Sequence, residues 1–390
     1  MADSTEKPPC KRCKTPNADL KMRNLPTCRP CYIEHVESKV RKSLGTLHKE
    51  TRTSTDLQPR RYLAGLSFGI SSTVLTQILD GTAEYHSTKK SSSSFEPLIV
   101  HVDTDLSPRS PGEESPAQRL LAKYRQRYPH VSFDCVHLSK ALSLKTVDWS
   151  ALPLPSEGGG DADDADADRL RRLFDGLPSV TSRADILRQL VRHILIDTAL
   201  QRDYSTLLLG HSTSALAALT LAEVANGRGF SVPSQVNDGP HTICTYGGDD
   251  EGSSSSSSME FPIYFPLREV FKNEIATYMD IVPSLADMKN PDASDAANVV
   301  SHKDLSIEEV MQRYFDGVEG PYSGIVANVV RTTAKLDRVA GAAYCRLCGM
   351  TLDEQGDSRW AGDLGHDSGD VTTPNQLGKL CYGCRRSVSG

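Results

Sequence analysis

Eight of the ten cysteines lie in four C-x-x-C pairs, two near each end of the chain. A tight C-x-x-C turn presents two thiolates, and two such turns supply the four sulfur ligands of a tetrahedral structural zinc site. The N-terminal pairs are separated by 14 residues, a spacing typical of zinc ribbons and treble clefs, and the C-terminal pairs by 32 residues. We predict one structural zinc site at each end, with these ligands: Cys10, Cys13, Cys28 and Cys31, then Cys345, Cys348, Cys381 and Cys384.

Disulfide-bonded modules and redox-active motifs are the alternative interpretations of these pairs. The first residues lack the apolar stretch of a secretory signal, and a reducing compartment disfavours disulfides. A redox motif needs one pair beside a strand–helix unit rather than four pairs. Four thiolates also fill the coordination sphere of zinc, so neither site is expected to be catalytic. Cys135 lies in an apolar, strand-like run and is predicted to be a core residue.

The N-terminal end of the chain is basic, although the whole chain carries a net charge of −6. Residues 1–61 contain 14 Lys or Arg against 7 Asp or Glu, so the rest of the chain carries a net −13. A rigid zinc module followed by a basic amphipathic helix can contact nucleic-acid phosphates, and a solvated face is the alternative. The candidate contacts are Lys11, Arg12, Lys14, Arg29, Lys39, Arg41 and Lys42.

Strand-like and helix-like segments alternate between the two cysteine-rich ends. Short apolar runs predict strands at 62–66, 98–102, 131–138 and 206–209. Helical periodicity predicts helices at 32–44, 71–79, 117–128, 183–202 and 214–226. This alternation predicts an α/β fold with a parallel sheet and helices on both faces.

Composition divides the chain into four predicted parts. They are an N-terminal zinc module with a basic helix at 1–45, an α/β domain at 58–285, a helical segment at 300–340 and a C-terminal zinc ribbon at 341–390. Four stretches poor in apolar residues are predicted to be disordered insertions: 86–94, 106–116, 155–168 and 247–258. An apolar helix expected at 321–339 serves either the core or a subunit contact.

Two strand-to-helix turns lie where an open parallel sheet binds anions, beyond the carboxyl ends of its strands. The first turn contains Ser67, Phe68, Gly69, Ile70, Ser71 and Ser72, and the second contains Gly210 and His211. Taken alone, these residues fit ordinary turns in which serines cap a helix and the histidine forms a local hydrogen bond.

The first turn resembles the Ser-Gly-Gly-x-Asp-Ser loop of ATP pyrophosphatases, and the second is similar to their Gly-His-Asn-x-x-Asp-Asp turn. With the N-terminal cysteine pairs, Gly227-Arg228-Gly229 and Tyr264–Glu269, this order of motifs resembles the cytoplasmic tRNA 2-thiolation protein 2 family. Members of that family are the non-identical partner of the catalytic tRNA 2-thiolase. The resemblance implies a Rossmann-like adenine-nucleotide alpha-hydrolase (pyrophosphate-loop) sheet, flanked by N-terminal and C-terminal zinc-binding modules.

The first turn departs from the pattern of the active relatives at three positions. Phe68 stands in place of the first loop glycine, where its side chain is expected to crowd a phosphate and to resist a positive φ. Ser71 replaces the acidic residue that partners magnesium, and Ile70 replaces a frequent lysine. Little then remains to offset the charge of ATP–Mg²⁺.

Two further segments depart in the same direction. Thr213, Ser214 and Ala215 stand where the second turn of the relatives has acidic residues. Residues 181–184 read Thr-Ser-Arg-Ala, where catalytic thiolases have a C-x-x-C that carries sulfur or an iron–sulfur cluster. Together the departures predict a pseudo-enzyme that binds no ATP and has no catalytic residue of its own.

The resemblance implies a subunit of the cytosolic tRNA thiolation complex. In that role the chain forms a heterodimer with the catalytic paralogue, which adenylates C2 of the wobble uridine in tRNAs for Lys, Glu and Gln. Sulfur comes from a thiocarboxylated ubiquitin-related modifier. A cytoplasmic location is implied as well, and the uncharged run at 204–222 is too polar for a lipid-facing helix, so no membrane contact is expected.

Two other functions stay open at the level of sequence. One is a self-sufficient ATP-dependent tRNA thiouridylase that uses Cys135 or Cys244 as its sulfur carrier. The other is a zinc scaffold that docks the ubiquitin-like carrier and does not bind RNA.

Overall fold

Five parallel strands and one antiparallel strand form the central sheet. The computed structural model describes residues 7–51, 59–88, 95–108, 112–152, 162–246, 257–288, 304–338, 343–352 and 380–390. Its strands are β1 (Leu20–Met22), β2 (Leu25–Thr27), β3 (Arg60–Gly65), β4 (Phe95–Asp103), β5 (Ser132–His137), β6 (Thr206–Leu208), β7 (Gly239–Thr245) and β8 (Ser257–Tyr264). The sheet order is β5-β4-β3-β6-β8-β7, and only β7 runs antiparallel to its neighbour within this sheet.

Helices cover both faces of this sheet. They are α1 (Arg29–Glu50), α2 (Ile70–Ser87), α3 (Pro116–Arg127), α4 (Ala162–Gly176), α5 (Val180–Gln201), α6 (Thr213–Ala225), α7 (Val232–Val236), α8 (Lys272–Ile281), α9 (Ile307–Thr333) and α10 (Tyr382–Ser389). Short 3₁₀ helices lie at Leu138–Ser143, Trp149–Ala151, Gly229–Ser231 and Pro283–Met288.

Strand β3 shows how the two cores form. It is buried on both faces, as expected for a central parallel strand. Leu63 belongs to one core, together with apolar residues of α5 and α6, whereas Tyr62 and Ala64 belong to the other, together with α1, α2 and α8. Because successive side chains of a strand point to opposite faces, one strand contributes to both cores. The predicted α/β class with helices on both faces is confirmed.

The prediction of a disordered insertion at 155–168 is wrong for its second half. Residues 162–168 are the start of α4. The helix is anchored on its other half, where Leu170 and Leu173 are buried in the core. The aspartates occupy its first turns, where the positive end of the helix dipole favours negative charge.

The other predicted insertions also overlap ordered elements at their margins. Helix α2 continues to Ser87, α3 begins at Pro116 after a capping box at Ser115, and β8 begins at Ser257. Four stretches of the predicted insertions, 89–94, 109–111, 155–161 and 247–256, fall outside the described residues.

The apolar helix near the C-terminal end begins earlier than the sequence predicts. Helix α9 begins at Ile307 and ends at Thr333, and the backbone departs from helical geometry at Tyr322 (φ −134°, ψ 46°), directly after Pro321. Proline lacks the amide hydrogen and disturbs the preceding turn, which explains the kink. Val326 and Val330 pack in the core, so at least this face serves packing. None of the described helices is long and apolar enough to cross a membrane.

Candidate functional site

The N-terminal cysteine pairs converge on one point. Their four sulfur atoms lie within 4.8 Å of one another, and the Sγ atoms of Cys13 and Cys28 are 3.5 Å apart. Cys10 is buried, whereas Cys13 is exposed. Hydrogen bonds from the backbone of Cys13 and Cys28 lower the pKa of Cys10 to about 6. The site therefore favours at least one thiolate, the form of cysteine that binds metals.

The C-terminal pairs form a second cluster, which lies inside the protein. All four cysteines are buried, their sulfur atoms also lie within 4.8 Å of one another, and the Sγ atoms of Cys348 and Cys381 are 3.9 Å apart. Although burial opposes ionisation, hydrogen bonds from the other cysteines hold the pKa of Cys345 well below its ordinary value.

Both clusters are built in the same way. The residue after the first C-x-x-C pair has a positive φ, 65° at Lys14 and 70° at Gly349, and its amide donates to the carbonyl of the first cysteine at 2.9 Å. The second pair begins a helix, with Cys28 as the N-cap of α1 and Cys381 as the N-cap of α10. A tight turn and a helix start thus present two sulfur atoms each.

The sulfur positions fit zinc at both ends. Zn–S bonds of about 2.3 Å in a tetrahedron place neighbouring sulfur atoms about 3.8 Å apart, close to the observed 3.5 and 3.9 Å. None of the ten cysteines, all of which lie in described segments, forms a disulfide. The two predicted ligand sets are therefore each brought together.

A buried arginine connects the C-terminal cluster to the core. Arg228 donates to both Asp185 and Glu223, with Nε 2.8 Å from Oε2 of Glu223, and its Nη1 lies 3.9 Å from Sγ of Cys384. Ser387 of α10 donates to Asp185 at 2.6 Å. Although burial opposes charge, Glu223 and Asp185 raise the pKa of Arg228 well above its ordinary value. Arg228 therefore joins helix α10, which follows Cys381 and contains Cys384, to α5 and α6.

Three carboxylates next to this arginine have the spacing of a cation site. Oxygen atoms of Asp185, Glu223 and Glu308 lie within 4.8 Å of one another. Arg188, however, forms an ion pair with all three. These carboxylates are therefore neutralised by arginines in the structure, and the group is an ion-pair network.

Glycines allow the C-terminal cluster to approach this network closely. Gly227 has a φ of 81°, and a Cβ atom there would lie 2.3 Å from the ring of Tyr382. A Cβ atom on Gly383 would lie 2.6 Å from both the Arg228 side chain and the carbonyl oxygen of Asn226. The sequence singled out Gly227-Arg228-Gly229 as a motif, and the structure shows that Gly227 and Arg228 contact the C-terminal module.

The N-terminal module is attached differently, through the tip of its hairpin. Arg23 and Asn24 form the turn between β1 and β2, with φ values of 49° and 67°, as in a type I′ turn. Arg23 pairs with Glu274 of α8 at 2.8 Å and lies over the ring of Phe271 at 4.9 Å. Tyr278 of the same helix donates to Glu37 of α1 at 2.8 Å. The contact is partly apolar and partly ionic.

The predicted nucleotide turn Ser67–Ser72 is closed by its own hydroxyl groups. Ser72 Oγ accepts from the Ser67 amide at 3.2 Å and donates to the Gly69 carbonyl at 3.0 Å, while Ser67 Oγ accepts from the Gly69 amide at 3.4 Å. Gly69 is the N-cap of α2. Two amides of the turn are thus satisfied internally, and residues 67–72 contain no charged side chain.

The expectation that Phe68 resists a positive φ is wrong. Phe68 has a φ of 59°, and only 8% of the residue is exposed. Its ring packs against His101 at 4.1 Å and Tyr124 at 5.3 Å between centroids. Burial of the ring in the core compensates a conformation that costs about 1–2 kcal/mol. The ring of Phe68 is therefore part of the core.

The second turn lies against the first. A Cβ atom on Gly210 would lie 3.1 Å from Cα of Ser72, so glycine permits this approach. His211 packs edge-on against Phe265, and burial lowers its pKa to about 4. Its Nδ1 has no hydrogen-bond partner in the described part of the chain. His211 is therefore neutral at physiological pH.

The other residues that depart from the motifs of the active relatives lie at the starts of helices, where they form hydrogen bonds within the chain. Thr213 and Ser214 are in the first turn of α6, where Ser214 donates to Glu319 of α9. Ser182 is in the first turn of α5, where its amide donates to Ser179.

The two cysteines outside the clusters are remote from the turn Ser67–Ser72. Cys135 lies on β5 and Cys244 on β7, which are two and three strands from β3, or about 10 and 14 Å at normal strand spacing. Burial raises the pKa of Cys244.

The candidate tRNA contacts lie on the N-terminal module and α1. All are exposed except Lys39, which is half-buried. Several bind within the chain: Arg29 pairs with Asp19 at 2.9 Å, Arg41 pairs with Glu37 at 2.7 Å, and Lys39 donates to the Glu269 carbonyl at 2.8 Å.

Comparisons with known proteins identify the family of this chain. A sequence model of the family described as "Cytoplasmic tRNA 2-thiolation protein 2" matches residues 306–376. A protein of that name from Phaeosphaeria nodorum is 33% identical over 99% of this chain and 96% of its own length. Another, from Sclerotinia sclerotiorum, is 33% identical over 82% of this chain and 80% of its own length. This chain belongs to the cytoplasmic tRNA 2-thiolation protein 2 family.

A solved structure supports the fold of this family member. The U34-tRNA thiolase NcsA from Methanococcus maripaludis, solved with its 4Fe-4S cluster, superimposes with a TM-score of 0.52 over 91% of this chain and 96% of its own chain, at 15% identity. The predicted sheet and fold class are thereby confirmed, and the family connects the chain to tRNA 2-thiolation.

Sequence reasoning missed the residues that attach the two modules of this family member. Glu274, Asp185 and Glu223 were not singled out, because each has an ion-pair partner that lies 35 or more positions away in the sequence. The available signal was Gly227-Arg228-Gly229, an arginine between two glycines directly after a helix.

Proposed function

We propose that this chain is the non-catalytic subunit of a cytoplasmic tRNA 2-thiolation complex and forms a heterodimer with the catalytic paralogue. The single observation that carries the proposal is the turn Ser67–Ser72. This strand-to-helix turn, which resembles a pyrophosphate loop in sequence, has no carboxylate or cation, and its serines bond to its own amides. A site of this kind lacks the groups that bind magnesium and stabilise phosphoryl transfer.

The remaining parts of the chain then serve assembly and RNA binding. Each four-cysteine cluster would hold one zinc ion, which supplies no reactive position because four thiolates fill it. The basic N-terminal module would contact phosphates of tRNAs for Lys, Glu and Gln. Sulfur would reach the catalytic paralogue from a thiocarboxylated ubiquitin-related modifier.

No observation favours the self-sufficient thiouridylase as a second candidate. Its sulfur carrier would have to be Cys135 or Cys244, which lie on β5 and β7 rather than beside the turn Ser67–Ser72. A raised pKa at Cys244 also leaves less of the reactive thiolate.

A reconstitution experiment tests the proposal. Each subunit alone and both together receive tRNA, ATP–Mg²⁺ and the thiocarboxylated carrier, and 2-thiouridine is measured in the product. We expect product only with both subunits, and no ATP–Mg²⁺ binding by this chain in isothermal titration. Thiolation by this chain alone, or by the paralogue alone at the full rate, contradicts the proposal.

A further inference from the structure

A cavity of about 270 Å³ lies between three parts of the chain that are distant in sequence. The N-terminal hairpin and α1 form one wall, the loop between β8 and α8 forms the second, and the end of α9 forms the third. Four cationic side chains line it: Arg23, Lys39, Arg268 and Arg331. Among its described lining residues, Glu269 is the one carboxylate.

Two of the cations converge on a neutral oxygen atom. Lys39 Nζ and Arg23 Nη2 both donate to the backbone carbonyl of Glu269, at 2.8 and 3.1 Å. The carboxylate of Glu269 lies 3.9 Å from Lys39 Nζ, and its side chain is 74% exposed. Burial together with the nearby charges of Arg23 and Arg331 lowers the pKa of Lys39. Arg23 is paired with Glu274 at 2.8 Å, so Lys39, whose ion pair with the exposed Glu269 is longer, is the less compensated of these two cations.

The other two cations keep donors available. Arg268 pairs with Asp238 through Nη1 at 2.5 Å, whereas its Nη2 is buried and has no hydrogen-bond partner among the residues that the structure describes. Arg331 is exposed on the last turn of α9, where it faces Lys39. A buried donor without a partner costs free energy unless a ligand or water accepts from it.

The size and position of the cavity indicate the ligand. Small-molecule sites commonly measure about 300–1,000 Å³, so this cavity suits one phosphate group better than a whole nucleotide. It opens beside the amino-terminal turn of α6, because Thr213 also lines it, and so lies at the same sheet edge as the turn Ser67–Ser72. Lys42 is exposed one helical turn beyond Lys39 on α1 and extends the positive charge outward.

We propose that this cavity binds a backbone phosphate of an RNA strand, with the exposed Arg331 and Arg23 at its mouth and the more buried Lys39 and Arg268 at its base. The proposal rests on the proposed function, since tRNA is then the RNA. It assigns the contact to a site assembled from three segments, whereas the sequence placed RNA contacts on the N-terminal module alone.

Binding of fluorescent tRNA to the full-length chain at several salt concentrations tests the proposal. Arg331→Glu reverses an exposed charge, and Arg119→Glu makes the same change on the exposed surface of α3 as a matched control. We expect at least tenfold weaker binding for Arg331→Glu at about 0.1 M salt, and a slope of log K against log salt that is shallower by about one, because each phosphate contact contributes about 0.7–0.9. Arg331→Lys should keep most of the affinity, and Arg119→Glu all of it.

The outcomes separate this proposal from the proposed function. Normal tRNA binding by Arg331→Glu and by Lys39→Gln overturns the cavity as the phosphate site, while thiolation by the heterodimer stands. Inorganic phosphate, pyrophosphate and ATP–Mg²⁺ serve as competing probes. If the cavity binds these anions while the Arg331 and Lys39 variants bind tRNA normally, it is a small-molecule site, and the proposal is overturned. Absence of tRNA binding by the unmodified chain, alone and with the paralogue, overturns both. Thermal unfolding of every variant excludes loss of fold as the cause.

Discussion

The two four-cysteine modules share one construction but are attached to the sheet in opposite ways. The C-terminal cluster lies inside a core, and Arg228 connects it to two buried carboxylates. The N-terminal cluster is partly exposed and is held through the Arg23–Glu274 pair and the apolar face of α1. The same ligand chemistry can therefore serve as part of a core or as a docked surface module, and residues outside the cluster decide which.

The largest expected effect is loss of a C-terminal ligand. Cys345→Ser should unfold the central domain at physiological temperature, because a structural zinc site contributes about 10–16 kcal/mol in small peptides and whole domains are stable by only about 5–15 kcal/mol. Cys13→Ser should release zinc from the N-terminal module and leave the sheet folded. Circular dichroism during heating and metal content measure both. Equal losses of thermal stability in the two variants would show that the modules are not attached differently.

Removal of Arg228 should have the next largest effect. Arg228→Ala leaves the carboxylates of Asp185 and Glu223 buried with one cation fewer, which costs about 3–5 kcal/mol in buried ion pairs. Arg23→Ala, whose side chain is 38% exposed, should cost about 1 kcal/mol. Chemical denaturation of the metal-loaded protein gives both free energies of unfolding. A cost at Arg23 as large as at Arg228 would contradict the comparison.

The N-terminal attachment should weaken in acid. Although burial opposes ionisation, the neighbouring His35, whose Nε2 lies 3.5 Å from Oε1 of Glu274, and the ion pair with Arg23 lower the pKa of Glu274 to about 2. Because the pKa in the folded protein is below that of the unfolded chain, this carboxylate stabilises the fold fully above about pH 4.5. The contribution, on the order of 3 kcal/mol, is lost as the pH falls from 4.5 toward 2.

Glu274→Gln isolates this titration. The stability difference between the unmodified chain and Glu274→Gln should be largest near pH 6 and shrink steadily below pH 4.5. Unfolding free energies across that range measure it. A difference that is independent of pH would show that Glu274 contributes through packing alone.

The smallest expected effects come from two glycines, one in α10 and one in α1. Gly383→Ala should destabilise the protein by about 1–3 kcal/mol, since the added Cβ meets a backbone carbonyl at 2.6 Å. Gly45→Ala in α1 meets no atom within 4 Å and should stabilise the protein by about 0.5–1 kcal/mol through helix propensity. Thermal unfolding distinguishes the two signs. Destabilisation by Gly45→Ala would indicate an undetected partner on that face of α1.

The sequence alone predicted the α/β class, four of the six strands of the central sheet with the helices that follow them, and the two sets of cysteine ligands; it did not predict β7 and β8. These features depend on local periodicity and on short spacings, which a linear chain displays directly. It did not predict helix α4, because two leucines anchor a run whose composition is typical of loops. It also wrongly expected Phe68 to resist a positive φ, because the core that receives its ring is built by residues from β4 and α3.

Only the tertiary structure decided how the modules are attached and where positive charge accumulates. Arg23 and Glu274 are 251 positions apart, and the basic cavity combines a hairpin tip, a helix and two distant segments. Electrostatic interactions of this kind depend on distance and burial in space, and neither quantity can be read from the order of residues along the chain.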